Sequence, residues 1–586
     1  MAAESTTVTG LLARARGFPG TGLRLIDRRE QASFVTWREV ATRAEEVCGG
    51  LQAAGVRRGD RVALVYPTSF DFVFSFFGVL LAGAVPVPLE PPLRLGRLEE
   101  HMARTVRMVE AAGASLLLAD GRVAPLLGRV GRSARLGVRT LARLPGGTPS
   151  LETVSSDALA LVQFSSGTTS DPKPVALSHR ALTEQVRSLN AFWPDADGVV
   201  HSGLSWLPLY HDMGLIGCVF PALERPGTLT LIPPELFVAR PAVWLRAISR
   251  FRATLSPAPN FAFGLCVERI RDEQLEGVDL SSWRVALCGA EPVAAGVMRA
   301  FQVRFAPWGL RPEALTPVYG LSEASLAVTF SDIDRPFAAR RFERERLLRD
   351  GEARIAGDGV EIVSVGKPLP GLSLEIVDGA GRRLPAGRVG RVRVAGPSLM
   401  EGYLGRPQAT RHVLRDGWLD TGDLGFEDGG ELFLTGRAKE VIILRGRNHL
   451  PQEIEAAVDR VPGVRRGCAV AVAHLPEGAP GERLLLLVEA RKGTPRDVFP
   501  ALAEACAGAV RAEAGVSPDE VVVLPAGTLP RTSSRKLRRA EALRRHLAGT
   551  LTPPRGWTAL RLARTALDSM ATSLRRRFEA DARLGD

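Results

Sequence analysis

The chain has 586 residues, of which 45% are hydrophobic and 24% are charged, and a chain of this length and composition folds as several domains with their own apolar cores. The 60 Gly and 41 Pro are spread without a period, which excludes fibrous and solenoid repeat architectures. The net charge is +12, and only five of the 76 basic residues are Lys. A Lys inside a motif is therefore informative, because its compact charge differs from the planar fork of Arg.

The six Cys are scattered without a CxxC pair, so we expect reduced core thiols and no metal cluster. Residues 1–10 lack the basic and apolar regions of a secretory signal. The most apolar stretch, residues 70–87, is interrupted by Asp71, Ser75 and several Gly and Pro, and is too short to span a membrane. We expect a cytoplasmic protein without a transmembrane segment.

The first part of the chain alternates short apolar runs, such as residues 61–66, with helical patterns, such as residues 36–54. This alternation predicts a layered α/β architecture with a largely parallel sheet. Residues 85–92 predict a rigid extended connection. Residues 161–164 predict a buried strand that ends in a loop of small residues, and residues 180–192 predict the helix beyond it.

The α/β pattern continues through a predicted strand at residues 283–288. From residue 360 to 394 the pattern changes to short β-runs between Gly and Pro turns, which predicts a small antiparallel sheet or distorted barrel. After Gly436 and Arg437 the chain to about Leu547 has its own strand and helix signals, and we place a domain boundary there. The last residues predict a basic helix, interpreted as a solvated face, with a carrier-protein or membrane contact as the alternative.

The first motif is a loop of small and hydroxyl residues that directly follows an apolar strand. Small residues let backbone N–H groups approach a phosphate, hydroxyls add donors, and the lysine balances charge. The loop does not match the pattern GxxxxGK[ST], which disfavours a P-loop NTPase, and a plain Ser/Thr-rich turn remains an alternative. Its candidate residues are Ser165, Ser166, Gly167, Thr168, Thr169 and Lys173.

Two further motifs lie in the middle of the chain. His211 stands beside Asp212 between apolar segments, although a lone His is more often structural than catalytic. Tyr319 precedes Glu323 by four residues around a Gly turn. An aromatic ring can stack on a purine, and a carboxylate can bind a Mg²⁺ ion that bridges phosphate oxygens.

The last two motifs lie toward the C-terminus. Asp423 is a candidate acceptor for two ribose hydroxyls, with a turn Asp as the alternative, and it is followed by the segment 436–440. Residues 529–539 place Lys536 in a basic loop that we expect to be flexible and exposed. Taken singly, this loop could also be a nucleic-acid patch or a solvated loop.

In their order and spacing the five motifs resemble the ANL superfamily of adenylate-forming enzymes, from about Leu11 to Leu547. The resemblance implies an α/β fold with a large N-terminal adenylation domain, residues 1–436, made of layered α/β subdomains and a small β-barrel-like subdomain at residues 360–436. It also implies a hinge at residues 437–440 and a small mobile α+β C-terminal domain at residues 441–548. The remaining residues, 549–586, form the predicted basic helical tail.

The resemblance further implies ATP and Mg²⁺ as cofactors and a role for each matching residue. Lys173 and its loop would close over the β- and γ-phosphates, and Lys536 would contact the carboxylate and the oxygen that bridges to the α-phosphate. Lys439 would be the hinge residue, and His211 joins the catalytic set. The residues implied for adenine and the adjoining turn are Gly289, Ala290, Glu291, Pro292, Tyr319, Gly320 and Ser322; those for ribose are Asp423 and Arg437; those for the metal are Glu323 and Thr168.

Within the superfamily, residues 206–217, 256–263 and 280–292 are similar to fatty acyl-AMP ligases. Residues 337–359 resemble the extra segment that these enzymes carry and that restrains the domain movement needed for CoA. Two positions depart from the family pattern, which has Gly where this chain has Pro174 and Arg535. Pro174 removes a backbone donor, and Arg535 adds charge beside the late lysine.

The resemblance therefore implies activation of a medium- or long-chain fatty acid to an acyl-adenylate with release of pyrophosphate. The acyl group would then pass to the phosphopantetheine thiol of an acyl-carrier protein. One alternative is a fatty acyl-CoA synthetase, which differs only in using CoA as the acceptor. A second is a non-catalytic nucleic-acid-binding protein, suggested by the net charge and the Arg-rich C-terminus.

Overall fold

A computed structural model describes residues 6–92, 98–165, 172–193, 201–444, 447–476, 482–532 and 536–553, and all structural statements refer to these residues. Ser166, Gly167, Thr168, Thr169 and Arg535 lie outside them, as does the tail beyond residue 553. The helices in chain order are α1 (Val8–Ala15), α2 (Trp37–Ala53), α3 (Phe70–Leu81), α4 (Leu98–Ala112), α5 (His179–Phe192), α6 (Asp212–Gly214), α7 (Pro221–Glu224), α8 (Pro234–Ala239), α9 (Ala242–Phe251), α10 (Asn260–Arg269), α11 (Ala295–Phe305), α12 (Pro407–Val413), α13 (Pro451–Val458), α14 (Phe499–Ala514) and α15 (Arg539–Leu547).

The strands of the first half are β1 (Gly22–Ile26), β2 (Ala32–Thr36), β3 (Arg61–Val65), β4 (Val85–Pro88), β5 (Leu116–Ala119), β6 (Val138–Arg139), β7 (Leu159–Phe164), β8 (Pro174–Ser178), β9 (Gly203–Ser205), β10 (Leu229–Leu231), β11 (Leu255–Pro259), β12 (Val285–Gly289), β13 (Leu315–Gly320) and β14 (Ala327–Phe330). Those of the second half are β15 (Ala339–Phe342), β16 (Val360–Val363), β17 (Lys367–Pro368), β18 (Ser373–Val377), β19 (Gly390–Ala395), β20 (Gly402–Tyr403), β21 (Leu414–Arg415), β22 (Trp418–Asp428), β23 (Glu431–Arg437), β24 (Ile442–Leu444), β25 (Arg447–His449), β26 (Val464–His474), β27 (Arg483–Ala490) and β28 (Glu520–Leu524).

Two sheets form the α/β part of the molecule. The larger has the strand order β17-β14-β13-β12-β11-β9-β10-β1-β2, and its six inner strands from β13 to β1 are parallel. The smaller has the order β4-β3-β5-β6 and is entirely parallel. The predicted α/β class with a largely parallel sheet is confirmed.

Local sequence explains where the first helices begin. Thr36 caps α2 in a capping box with Glu39, each side chain bonding the backbone N–H of the other, and Ser69 accepts from the N–H of Phe72 at the start of α3. Such caps satisfy the N–H groups that have no partner within the helix. The buried face of α3 then packs against α2.

Residues after the first α/β part form an antiparallel sheet with the order β18-β19-β22-β21, and β23 pairs with the later part of β22, residues 423–428. This agrees with the small antiparallel sheet expected at residues 360–394 from β18 onward and extends it to Arg437. The earlier strands of that range pair elsewhere, β16 with β15 and β17 with β14. Beyond it, strands β26, β27 and β28 pair in that order, and two apolar clusters are built entirely from residues 442–551.

The extended connection predicted at residues 85–92 is partly wrong, because its first four residues are strand β4. This strand lies at the edge of the smaller sheet, where Pro86 and Pro88 lose no sheet hydrogen bond on their free side. Among the described residues, no helix combines the length and the apolarity that a bilayer span requires.

Candidate active site

The candidate residues gather where the parallel strands of the larger sheet end. His211 follows the carboxyl end of β9, Glu291 that of β12, and Ser322 and Glu323 that of β13. Open parallel sheets bind ligands in the crevice at this edge. The fold therefore brings together motifs that are more than one hundred residues apart in the chain.

Asp423 is held between an aromatic hydroxyl and a guanidinium. The Oη of Tyr319 donates to its Oδ2 over 2.7 Å, and the Nε of Arg437, its neighbour across β22 and β23, lies 3.1 Å from Oδ1. Burial raises the pKa of Asp423, although Arg437 and Tyr319 act in the opposite direction. The expected ribose and adenine residues thus form one contiguous group.

Glu323, Tyr403 and Lys173 form a second group. The Oη of Tyr403 donates to Glu323 Oε1 over 2.9 Å, and Lys173 Nζ lies 4.4 Å from the centre of the Tyr403 ring, within range of a cation–π interaction. Burial lowers the pKa of Lys173, and Glu323 opposes that effect. Of the predicted phosphate loop, Ser165 is described: its N–H donates to the Lys173 carbonyl over 3.0 Å.

The donor set suits Mg²⁺ bound mainly through a substrate. No cluster of three or more His, Cys, Asp or Glu that could hold a metal occurs among the described residues. Mg²⁺ is commonly bound by one or two carboxylates together with substrate phosphates. Glu323 fits this requirement, because it stands beside Lys173, the lysine of the predicted phosphate loop.

Asp212 is buried and accepts from two sides. His211 Nδ1 lies 2.6 Å from its Oδ1, and the Oγ of Ser322 donates to its Oδ2. Burial raises the pKa of Asp212, but His211, Ser322 and Lys536 together outweigh burial and hold this pKa below its ordinary range. Asp212 is therefore ionised at neutral pH.

Lys536 is half-buried, so the expectation that this lysine is exposed is wrong. Its N–H donates to Thr532 Oγ1 over 3.0 Å, and the Thr532 N–H donates back to its carbonyl over 2.8 Å. Burial lowers the pKa of Lys536, while Asp212 and Asp423 lie close enough to oppose that effect. The lysine is thus within electrostatic range of carboxylates that the middle and late motifs supply.

The residues after β12 shape the wall of the site. Gly289 packs so close to β13 that a Cβ would lie 2.6 Å from a methyl of Val318, and Ala290 has a positive φ of 66°. Glu291 Oε1 accepts from the N–H of Phe261 over 2.6 Å, which fixes the start of α10. Pro292 is exposed.

Gly320 is required by a similar close approach. A Cβ at this position would lie 1.8 Å from the carbonyl oxygen of Leu326, so another residue would force β13 and β14 apart. The close pairing of β13 with β14 at Gly320 positions the neighbouring residues Tyr319, Ser322 and Glu323. The third motif therefore requires Gly at position 320 because there is no space for a side chain.

A family model described as AMP-binding enzyme matches residues 13–404, more than half of the chain. The chain belongs to the AMP-binding enzyme family. Enzymes of this family use ATP. The family agrees with the resemblance of the five motifs to the ANL superfamily, and the chain is an adenylate-forming ligase.

Relatives agree in length and in fold with this AMP-binding enzyme. A putative acyl-CoA synthetase of Caulobacter vibrioides (strain NA1000 / CB15N) is 36% identical over 545 residues, which cover 90% of this chain and 93% of the relative. The medium-chain-fatty-acid–acyl-carrier-protein ligase JamA of Moorena producens (strain JHB) is 32% identical over 553 residues, covering 89% and 91%. A solved structure from a study of fatty acyl-adenylate ligases of E. coli and L. pneumophila has a TM-score of 0.87 at 32% identity, covering 94% of this chain and 99% of that chain.

The expected hinge residue of the AMP-binding enzyme, Lys439, is exposed in the turn that follows β23. The turn is bounded by a hydrogen bond from the Ala438 N–H to the Gly422 carbonyl. On its far side Glu440 is bound by Arg539, whose Nη1 lies 2.6 Å from its Oε2. Exposed Lys439 is thus bordered on both sides by hydrogen-bonded residues.

Sequence reasoning missed two residues that the structure places in the candidate site. Tyr403 links Lys173 to Glu323, yet it stands outside the five motifs, and no pattern around it singled it out. Asp212 was noted only as the neighbour of His211. A carboxylate adjacent to a His and followed by a Gly was the available signal.

Proposed function

We propose that this AMP-binding enzyme joins a fatty-acid carboxylate to AMP from ATP and releases pyrophosphate. The observation that carries the proposal is the contact of Tyr319 and Arg437 with Asp423, together with the electrostatic interaction of Lys536 with both Asp423 and Asp212. This arrangement brings the ammonium group of Lys536 near the residues proposed to bind the nucleotide. The fatty nature of the acid is supported by the names of the relative JamA and of the solved fatty acyl-adenylate ligases.

The chemistry needs charge neutralisation and alignment rather than a base. A fatty carboxylate is already ionised at neutral pH, so it attacks the α-phosphorus directly and pyrophosphate leaves. Lys536 stabilises the charge that develops around the attacking carboxylate and the α-phosphate, and Lys173 stabilises the leaving pyrophosphate. Glu323, with Thr168, would hold Mg²⁺, which neutralises phosphate charge when bound.

The second half of the reaction transfers the acyl group to a thiol. We propose that residues 1–436 form the adenylation domain and that residues 441–548 form a C-terminal domain that rotates about Lys439. Such a rotation withdraws Lys536 and admits the acceptor. The separate apolar clusters of residues 442–551 support a rotation as a rigid unit.

The proposed acceptor is the phosphopantetheine thiol of an acyl-carrier protein. Its support is the contact of the 337–359 segment with the C-terminal part through Arg344, together with the relative JamA, which is named for this acceptor. The name of the Caulobacter relative supports CoA as the second candidate. Membership of an enzyme family argues against the non-catalytic, nucleic-acid-binding interpretation.

Fatty-acid-dependent ATP–pyrophosphate exchange tests the first half. Saturated acids of increasing chain length are offered singly, and we expect exchange with medium or long chains and little with acetate. CoA and a phosphopantetheinylated acyl-carrier protein are then offered in parallel, with acyl-thioester formation as the readout. Comparable turnover with CoA would contradict the carrier-protein assignment, and absence of exchange would contradict fatty-acid activation itself.

A further inference from the structure

His211 stands between an ionised carboxylate and a small cavity. Its Nδ1 lies 2.6 Å from Asp212 Oδ1. Within the described part of the chain, its Nε2 is buried and has no hydrogen-bond partner. His211, Ser165 and Gln163 are among the residues that line a cavity of about 30 Å³, and Gln163 Oε1 is likewise buried without a partner there.

The contacts of the ring define its tautomer. Asp212 is ionised and can only accept, so a contact of 2.6 Å requires the proton to lie on Nδ1 of His211. The N–H of Met213 donates to Asp212 Oδ1 over 2.7 Å and makes a longer contact of 3.4 Å with His211 Nδ1. The shorter of the two contacts takes the Met213 proton to the carboxylate, so Nδ1 can still donate to Asp212. In the neutral ring Nε2 then carries an unused lone pair.

The two halves of the proposed reaction differ in their need for a proton acceptor such as Nε2 of His211. The attacking fatty carboxylate has no proton to lose, whereas an alkyl thiol, with an ordinary pKa near 8.5, is mostly protonated at pH 7. When the thiol sulfur bonds to the acyl carbon, the bond from that carbon to the AMP oxygen breaks and the thiol proton must be removed. Only the second half therefore uses a base.

We propose that His211 accepts the proton of the acceptor thiol, with Asp212 fixing its tautomer and stabilising the imidazolium. The proposal rests on the proposed acyl transfer. The thioester and AMP are the products, and the proton leaves from Nε2 to AMP or to solvent. This is the division of labour of a carboxylate–imidazole–nucleophile triad, with the thiol supplied by the substrate.

Other titratable groups around the cavity do not fill this role. The Nε2 of His101 is held 3.0 Å from the carbonyl of Glu90, and the guanidinium of Arg104 offers donors and no acceptor. Lys536 acts on the charge of Asp212 but leaves with the C-terminal domain before the thiol enters. His211 remains as the base that belongs to the adenylation domain.

The test isolates the second half. Pre-formed dodecanoyl-adenylate is bound to the enzyme and mixed with a phosphopantetheinylated acyl-carrier protein or with free pantetheine. Single-turnover thioester formation is then followed from pH 5.5 to 9.5. For the wild type we expect a rate that reaches a plateau well below the pKa of the thiol, because the imidazole takes the thiol proton and the reaction does not depend on prior formation of the thiolate.

For His211→Gln we expect a rate of thioester formation lower by about 10²-fold than that of the wild type at pH 7. The rate of the variant should rise about tenfold per pH unit up to the thiol pKa, because it then follows the thiolate fraction. The difference between the two rates should therefore be smaller at pH 9. Added imidazole should restore the rate of His211→Gly. The matched control is His101→Gln, which lines the same cavity and should keep the wild-type profile.

A wild-type rate that rises without a plateau up to the thiol pKa overturns the proposal even if the variants do not fold. So does a His211→Gln profile that matches the wild type. If the wild type shows fatty-acid-dependent exchange but forms no thioester with either thiol, the proposed acyl transfer fails and this proposal fails with it.

Discussion

Arg344 forms an ion pair with Glu453, and its Nη2 donates to the Glu513 carbonyl over 2.8 Å. Arg344 lies in the 337–359 segment, whereas Glu453 is in α13 and Glu513 is in α14. One side chain thus joins the inserted segment to two helices of the C-terminal part. Any rotation about Lys439 that carries these helices away must break both contacts.

Replacing Arg344 by Ala should ease this rotation. A partly exposed ion pair and one hydrogen bond contribute about 1 kcal/mol, so we expect CoA-dependent thioester formation to rise about fivefold. ATP–pyrophosphate exchange, which needs no rotation, should stay near the wild-type rate. Arg349→Ala is the control, because Arg349 is exposed and pairs with its neighbour Asp350. Equal CoA turnover in both variants would show that the Arg344 contacts do not restrain the C-terminal part.

Burial of Glu453, the ion-pair partner of Arg344, predicts that the stability of the fold depends on pH. Burial raises the pKa of Glu453 to about 7 from an ordinary value of 4.5, although Arg344 acts against burial. The folded protein therefore holds this proton more tightly than the unfolded chain does. The stabilisation is complete below about pH 4.5 and is lost as the pH rises through 7. We expect the melting temperature of the wild type to fall between pH 5 and 8 relative to Glu453→Gln. Parallel melting curves for the two proteins over this range would contradict the assignment.

Lys536→Ala should reduce ATP–pyrophosphate exchange by about 10²–10³-fold, by analogy with the removal of one donor from an oxyanion hole. Burial lowers the pKa of Lys536, which shows that its charge is costly in the fold, so the melting temperature should not fall. Lys492→Ala, at an exposed position, is the control and should exchange at the wild-type rate. Near-normal exchange by Lys536→Ala would mean that another group stabilises the carboxylate and the α-phosphate.

The sequence predicted many strands well because they depend on local patterns. Strand β7, for example, follows from an apolar run. Contacts between distant segments could not be predicted in this way: Tyr319 bonds Asp423 across 104 positions and Ser322 bonds Asp212 across 110. Polarity alone suggested that the Lys536 loop is exposed, whereas the acidic groups that attract it come from other parts of the chain.

Tyr319→Phe tests the bond between the third and fourth motifs. The change leaves a buried acceptor oxygen of Asp423 without its donor, a loss of about 1.5 kcal/mol for a charged acceptor. If Asp423 binds ribose, the KM for ATP in exchange should rise about tenfold. Tyr66→Phe is the control, since Tyr66 is a buried tyrosine whose hydroxyl is bonded to Ser75 outside the site, and its KM should not change.

The pH dependence of the Tyr319→Phe variant distinguishes a binding role from a loss of packing. The Tyr319 hydrogen bond lowers the pKa of Asp423 against the raising effect of burial, so without it that pKa rises further. Asp423 must be ionised to accept from two hydroxyls, and the KM penalty should therefore grow as the pH falls from 8 to 6. A penalty that is constant over this range would mean that Tyr319 acts through its ring and not through the ionisation of Asp423.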